Sequence, residues 1–385
     1  MKIFFKSDLF KITTLFIVWR AALFAVLALA LQKIPLGYKD RFLGGGYINY
    51  QENPWVYSWA NFDGEHYLAI AIDGYKGLEQ AFFPIYPLLM SFLSGPWYAS
   101  TEFALFPTTL AGLVVSNVAF LLALFFLFKL LLFDYSKKFA FFVLIVLLTY
   151  PFSFYFGAVY GESLFLLLAV LSFYFARKNN WILASLFGIV SSATRIFGVL
   201  LAPAHLLDLW KEKKLKKYGL FAVAIPLGLI VYIFYQWQTV GDPLAFYRLQ
   251  KLVGEQHQSG LTLLPQVYYR YVKMLLTVDM ANPIYQTIVL EFITGIAFFL
   301  LPIYGYFKKM PLSYVFFALA GFLSPTIQGS FSSVPRYVIV FFPSFIVLAL
   351  LISKFPRKAR YAYLVVSLLL MFFEAALFLR GYWVG

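Results

Sequence analysis

The chain has 385 residues, 62% hydrophobic, 21% aromatic and only 12% charged, with a mean hydropathy of +0.80 and a formal net charge of +14. A soluble domain carries about a quarter charged residues, so this composition excludes one, and the continuous apolar runs exclude the alternating pattern of a transmembrane barrel. The cations cluster beside helix ends, as in "KEKKLKK" (Lys211 to Lys217), "FKK" (Phe307 to Lys309) and "KFPRKAR" (Lys354 to Arg360), which is a positive-inside pattern and not a nucleic-acid surface.

Apolar segments long enough to cross a hydrocarbon core of about 30 Å recur from end to end, which predicts an all-α polytopic membrane protein. Lys2, Lys6 and Lys11 precede a first span, Ile12 to Leu31, that reads as a signal anchor. Residues 32–106 then form a large external segment with seven carboxylates against four cations. The apolar stretch "AFFPIYPLLMSFLSG" within it is an interfacial or re-entrant element, because a full crossing would put "DYSKK" (Asp134 to Lys138) outside.

The second span is Leu110 to Phe133; the third and fourth are Phe139 to Phe156 and Ser163 to Phe175. Two short helices meeting near "SSATR" (Ser191 to Arg195) account for Trp181 to Leu209, their junction lying within the membrane on the external side, where irregular backbone survives only if it lines a protein cavity. Further spans are expected at Leu220 to Trp237, Tyr285 to Tyr304, Tyr314 to Ile327, Tyr337 to Leu351 and Tyr363 to Leu379, about eleven in all. A second external loop covers residues 238–284. The whole of 1–385 reads as one membrane domain.

On this threading the polar residues meet at the external boundary. Asp63, His66 and Tyr67 share a helix face by i, i+3, i+4 spacing, with Glu65 on another face. Glu162 starts the fourth span, Thr194 and Arg195 sit at the break between the half-helices, and Arg336 follows "SFSSVP" at the outer end of a later span. A cation within a span faces a cavity or pathway, and two guanidinium forks match phosphate oxygens. His66 is a catalytic candidate that would orient Asp63 or the acceptor; it has no partner at metal-ligand spacing, so no metal site is expected. A carboxylate on the water side of two arginines fits a reaction at the interface: the arginines neutralise a lipid-phosphate leaving group, and Asp63 takes the proton of the attacking hydroxyl.

At these residues the sequence resembles the PIG-V-like mannosyltransferases of the GT-C class of membrane glycosyltransferases. "WANFDGEHYLAIAIDGY" followed by "QAFFPIYPLL" is similar to that family's loop pattern, and the likeness continues through "YPFSFYFGAVYGESLFLLLAVLSFYFAR", "LFGIVSSATRIFGVLLAP", "WQTVGDPLAFYRLQ" and "SVPRYVIVFFPSFIVLA". The resemblance implies a GT-C-like fold and transfer of a sugar, typically mannose, from a polyprenyl-phosphate donor to a lipid or glycan acceptor on the outer or lumenal face, without a nucleotide, cofactor or obligatory metal. It maps the family's loop aspartate to Asp63 and its intramembrane Thr-Arg to Thr194 and Arg195. The expected setting is the plasma membrane of a prokaryote, or the endoplasmic reticulum lumen side in a eukaryote. Two other readings stay open at this point: a transporter or lipid flippase, whose intramembrane polar residues would line a pathway, and a noncatalytic scaffold on the same fold.

Overall fold

A computed structural model describes residues 7–37, 47–97, 99–100, 103–253, 262–282 and 284–384. Lys2 and Lys6, and parts of both predicted external loops (38–46, 98, 101–102, 254–261 and 283), lie outside the described residues. Among the described residues the structure is helical throughout, with no strand.

Among the described residues five helices are long and apolar enough to cross a membrane: Asp8–Lys33, Leu105–Leu131, Leu215–Val240, Ile284–Phe307 and Arg357–Leu379. Their outward faces carry bare apolar side chains such as Val18, Val118, Leu220, Val231 and Val365, which suit lipid and not water. A sixth candidate, Val334–Val340 with Phe342–Ser353, is bent by 93°. The predicted straight span from Tyr337 to Leu351 is thus a sharp corner. Pro343, at the start of the second limb, has no N–H for the carbonyl four residues back, and its ring crowds that turn. Gly321 accommodates the corner, because a Cβ there would overlap the Phe341 ring.

The other expected crossings appear as shorter helices, so the described structure does not present eleven full-length spans. Lys137–Thr149 has 13 residues, and Trp181–Ser192 and Leu201–Lys211 have 12 and 11. The last two meet through a 3-10 turn, Ile196–Leu200, directly after Arg195. The expected broken segment is therefore present.

The long charged side chains sort by end. Helix Glu162–Arg177 has 16 residues, so its termini stand about 24 Å apart. At the Arg177 end, that side chain grips Asp134 at 2.6 and 2.7 Å, and Lys214 reaches Asn179 at 2.7 Å. The Glu162 end is where the first loop packs. Trp59 is fully buried there, with the Arg20 guanidinium 3.9 Å over its ring. The Trp59 carbonyl accepts the Val159 N–H at 2.8 Å, the Asn61 carbonyl accepts the Tyr160 hydroxyl at 2.8 Å, and the Asn61 amide donates to the Phe378 carbonyl at 2.7 Å. Downstream, Tyr232 and Gln236 of helix Leu227–Val240 donate to the backbone of Gln80 and Phe82. The loop is thus fastened to four separate elements. Its two longer helices, Asp63–Asp73 and Ile85–Ser94, are of interfacial length.

Candidate active site

Helix Asp63–Asp73 begins in an unusual way. Phe62 occupies positive φ (60°), a conformation costly for a residue with a bulky side chain. Its N–H donates to Glu65 Oε1 at 3.3 Å, and its carbonyl accepts the Glu65 N–H at 2.9 Å. Glu65 is therefore a cap of the helix start. That start aims Asp63 at the core: Asp63 Oδ2 lies 2.7 Å from Arg336 Nη1.

Arg336 sits on the short helix Val334–Tyr337, in front of the 93° corner. Its side chain is 4% exposed, with the guanidinium 5.6 Å from the Tyr155 ring, 5.4 Å from Tyr160 and 4.9 Å from Tyr337. Its Nε lies 3.7 Å from Glu162 Oε1. The same oxygen is 2.6 Å from Arg195 Nη1, so Glu162, only 1% exposed, stands between the two arginines. Arg195 leaves its helix at the break and lies 5.6 Å over Tyr337. The four residues form one chain of charge, Asp63–Arg336–Glu162–Arg195, with two carboxylates against two guanidiniums. Asp63 (22%) and Arg195 (12%) reach the accessible side; Arg336 and Glu162 lie beneath.

The remaining sequence candidates fall in different places. Tyr67 is buried beside this group, edge-on to Tyr86 and Tyr160 at 5.0 and 6.4 Å; burial raises its phenol well above the ordinary tyrosine range. His66 turns away to Glu79, with Nδ1 3.6 Å from Oε1, and stacks on Phe82 at 4.7 Å. Thr194 returns its hydroxyl to the Val190 carbonyl at 2.8 Å. Glu79, on the acidic external segment, is 18% exposed and paired with His66.

Two further carboxylates, which the span assignment does not single out, lie within long apolar helices. Glu291 accepts from the Tyr271 hydroxyl at 2.5 Å and from the Ser333 N–H at 3.3 Å, the second bond holding the loop that leads into Arg336. Glu374 is bonded to Gln286 of the neighbouring helix. Both lie in apolar runs, "IVLEFITG" and "MFFEAALF", and a carboxylate inside a span is itself the signal that could have found them. Among the described residues no group of three metal-ligating side chains occurs.

A polytopic helical membrane protein with a charge-balanced carboxylate and arginine centre under a docked loop helix is the class that fold and site define. The chain belongs to the PIG-V mannosyltransferase family: the model of that family matches residues 7–251, a stretch that includes Asp63, Glu162 and Arg195 and ends before Arg336. No curated protein matches the chain. Among solved structures it is similar to the oligosaccharyltransferase of Archaeoglobus fulgidus in its apo form, at 13% identity and a TM-score of 0.44 over 95% of this chain. The same enzyme tethered with an acceptor peptide matches at 14% identity and a TM-score of 0.44 over 94% of the chain. This chain spans 56% and 55% of the lengths of those two structures.

Proposed function

We propose that this chain is a GT-C-type mannosyltransferase that moves a sugar from a polyprenyl-phosphate donor to a hydroxyl of a lipid or glycan acceptor at the external membrane face. Membership of a mannosyltransferase family supports the reaction class; the observation that carries the mechanism is the chain of charge from Asp63 to Arg195. The acceptor oxygen attacks the anomeric carbon as the bond from that carbon to the phosphate oxygen breaks, and the phosphate departs with the electron pair. The acceptor proton passes to Asp63. Its Oδ2 is held by Arg336, which fixes the carboxylate and leaves Oδ1 to receive the proton.

In this reading Arg195 meets the phosphate. One Nη is engaged by Glu162, and the rest of its fork, on the accessible side, offers further donors. Arg336, deeper and caged by three tyrosine rings, positions Asp63. The centre is already neutral, so the leaving phosphate is stabilised by oriented N–H donors in a preorganised site more than by excess positive charge.

Transfer assays with purified protein in nanodiscs, labelled polyprenyl-phosphate mannose and native membrane lipids or glycans test this reading; an inert wild-type protein overturns it. In the same assay Arg195→Ala should raise the donor KM by roughly one to two decades, the loss of a charge-assisted contact of about 1.5–3 kcal/mol. Lysine should restore only part, lacking the fork. An unchanged donor KM in the alanine variant would make Arg195 structural.

Sidedness follows from the charge sorting. The Arg177 end, which also holds Lys214, is assigned to the cytoplasm. The chain has no native cysteine, so single cysteines are unambiguous reporters. Glu52→Cys, exposed on the loop side, should react with an impermeant thiol reagent on intact cells, and Lys216→Cys should not. The reverse pattern would put the active site on the cytoplasmic face. Ser58, though on the same loop, is fully buried and is a poor reporter.

A further inference from the structure

A second site lies beside the charged centre and outside the segment matched by the family model. A cavity of about 410 Å³ opens between helix Leu264–Thr277, helix Ile284–Phe307 and the chain around Trp383, a volume within the range of small-molecule sites. Glu291, Tyr271 and Ser330 supply its polar lining, Trp383 its aromatic wall, and Arg270 and Lys273 its cations. Lys273 is exposed and has no carboxylate partner among the described residues; Arg270 donates to the Gly329 carbonyl at 2.9 Å.

Two contacts tie this cavity to the reacting residues. Glu291 accepts the Ser333 N–H, three residues before Arg336. Trp383 meets Phe62, the residue before Asp63, edge-on at 5.4 Å between ring centroids. The cavity is thus bounded by the segments that carry Asp63 and its arginine.

We propose that the cavity is the acceptor subsite and that it takes a sugar head group bearing a phosphate. This rests on the glycosyltransferase reading of the neighbouring centre. The chemistry of the lining selects the ligand: an indole face suits the C–H face of a sugar ring, and the second lone pair of each Glu291 oxygen and the Ser330 hydroxyl suit sugar hydroxyls. Arg270 and Lys273 suit an anion that the charge-balanced centre does not attract. A plain apolar chain would leave this polar lining unpaired.

The first test is direct binding to purified protein in phosphatidylcholine nanodiscs, using mannose 6-phosphate, mannose and inorganic phosphate as probes in saturation-transfer NMR. Mannose 6-phosphate should bind more tightly than either of the others, and Lys273→Glu and Trp383→Ala should each weaken it at least tenfold. No binding to the wild-type protein overturns the proposal. So does binding of inorganic phosphate that equals that of the sugar phosphate, which would mark a bare anion site. Displacement of the probe by phosphatidylglycerol in the disc also overturns it, marking a general phospholipid site.

The second test is kinetic, in the transfer assay. Lys273→Glu should raise the acceptor KM at least tenfold with the donor KM within twofold; a matching rise in the donor KM would assign the cavity to the donor and overturn the proposal. A wild-type protein without transfer activity would refute the glycosyltransferase reading, while the binding arm would still decide the cavity. Lys273 is exposed, so its variant is expected to fold, and a melting curve in the same discs checks this.

Discussion

Asp63→Asn should lower turnover by roughly 10²- to 10⁴-fold, the contribution of a positioned general base, while leaving donor KM little changed. In the proposed transfer the departing phosphate needs modest help, whereas an acceptor hydroxyl is a weak nucleophile until its proton has a destination. Asparagine has nearly the same shape, and its amide oxygen still accepts from Arg336 at the position of the present 2.7 Å ion pair, so the loop helix keeps its aim. What disappears is basicity. Asp73→Asn, ten positions on, where the carboxylate is exposed and pairs with Lys76 at 3.4 Å, is the matched control and should retain wild-type turnover. Rates measured at saturating donor and acceptor separate the cases; a fully active Asp63→Asn protein would remove Asp63 as the base and make Glu162 the next candidate.

Glu162→Gln should cost about 3–5 kcal/mol of stability, the penalty for breaking a buried ion pair by removing one partner. The reason is geometric. One carboxylate oxygen stands 2.6 Å from Arg195 and 3.7 Å from Arg336, in a site where Glu162 is 1% exposed. Neutralising it leaves Arg195 without its counter-ion and Arg336 with Asp63 alone. Replacing both members of the closer pair, as in Glu162→Gln with Arg195→Met, should recover much of the loss, because the uncompensated cation goes too. Thermal unfolding in nanodiscs reads both variants. A single variant as stable as wild type would show that water or lipid phosphate already screens Arg195, and that the ion pair contributes nothing net.

The polar residues of the candidate site are legible in the sequence for a simple reason: in a chain with 12% charged residues, each carboxylate or guanidinium inside an apolar run is conspicuous. Glu162, Arg195 and Arg336 stand out in this way, Asp63 stands out in the charged cluster of the first loop, and the structure brings all four into contact. Glu291 and Glu374 carry the same signal, but a span defined by length alone does not single them out. Roles separated less well. His66 shares a face with Asp63 by helical spacing, yet its partner is Glu79, and Thr194 bonds its own helix. Spacing along one helix says which side chains share a stripe, not what another element lays against it.

The amino-acid sequence by itself determined the solvent, since transfer of each apolar segment to lipid is a local sum over its side chains. It determined the break near Ser191 to Arg195 as well, where parity and polar residues coincide. Only the tertiary structure decided the 93° corner at Phe341, which depends on Pro343 and on the space left by Gly321 in a different helix. It alone decided that Glu162 would bridge two arginines and that Asp63 would meet Arg336. Such pairings depend on the relative rotation and depth of helices far apart in the chain, quantities that hydropathy does not contain because it counts the cost of leaving water and not the partner met afterwards.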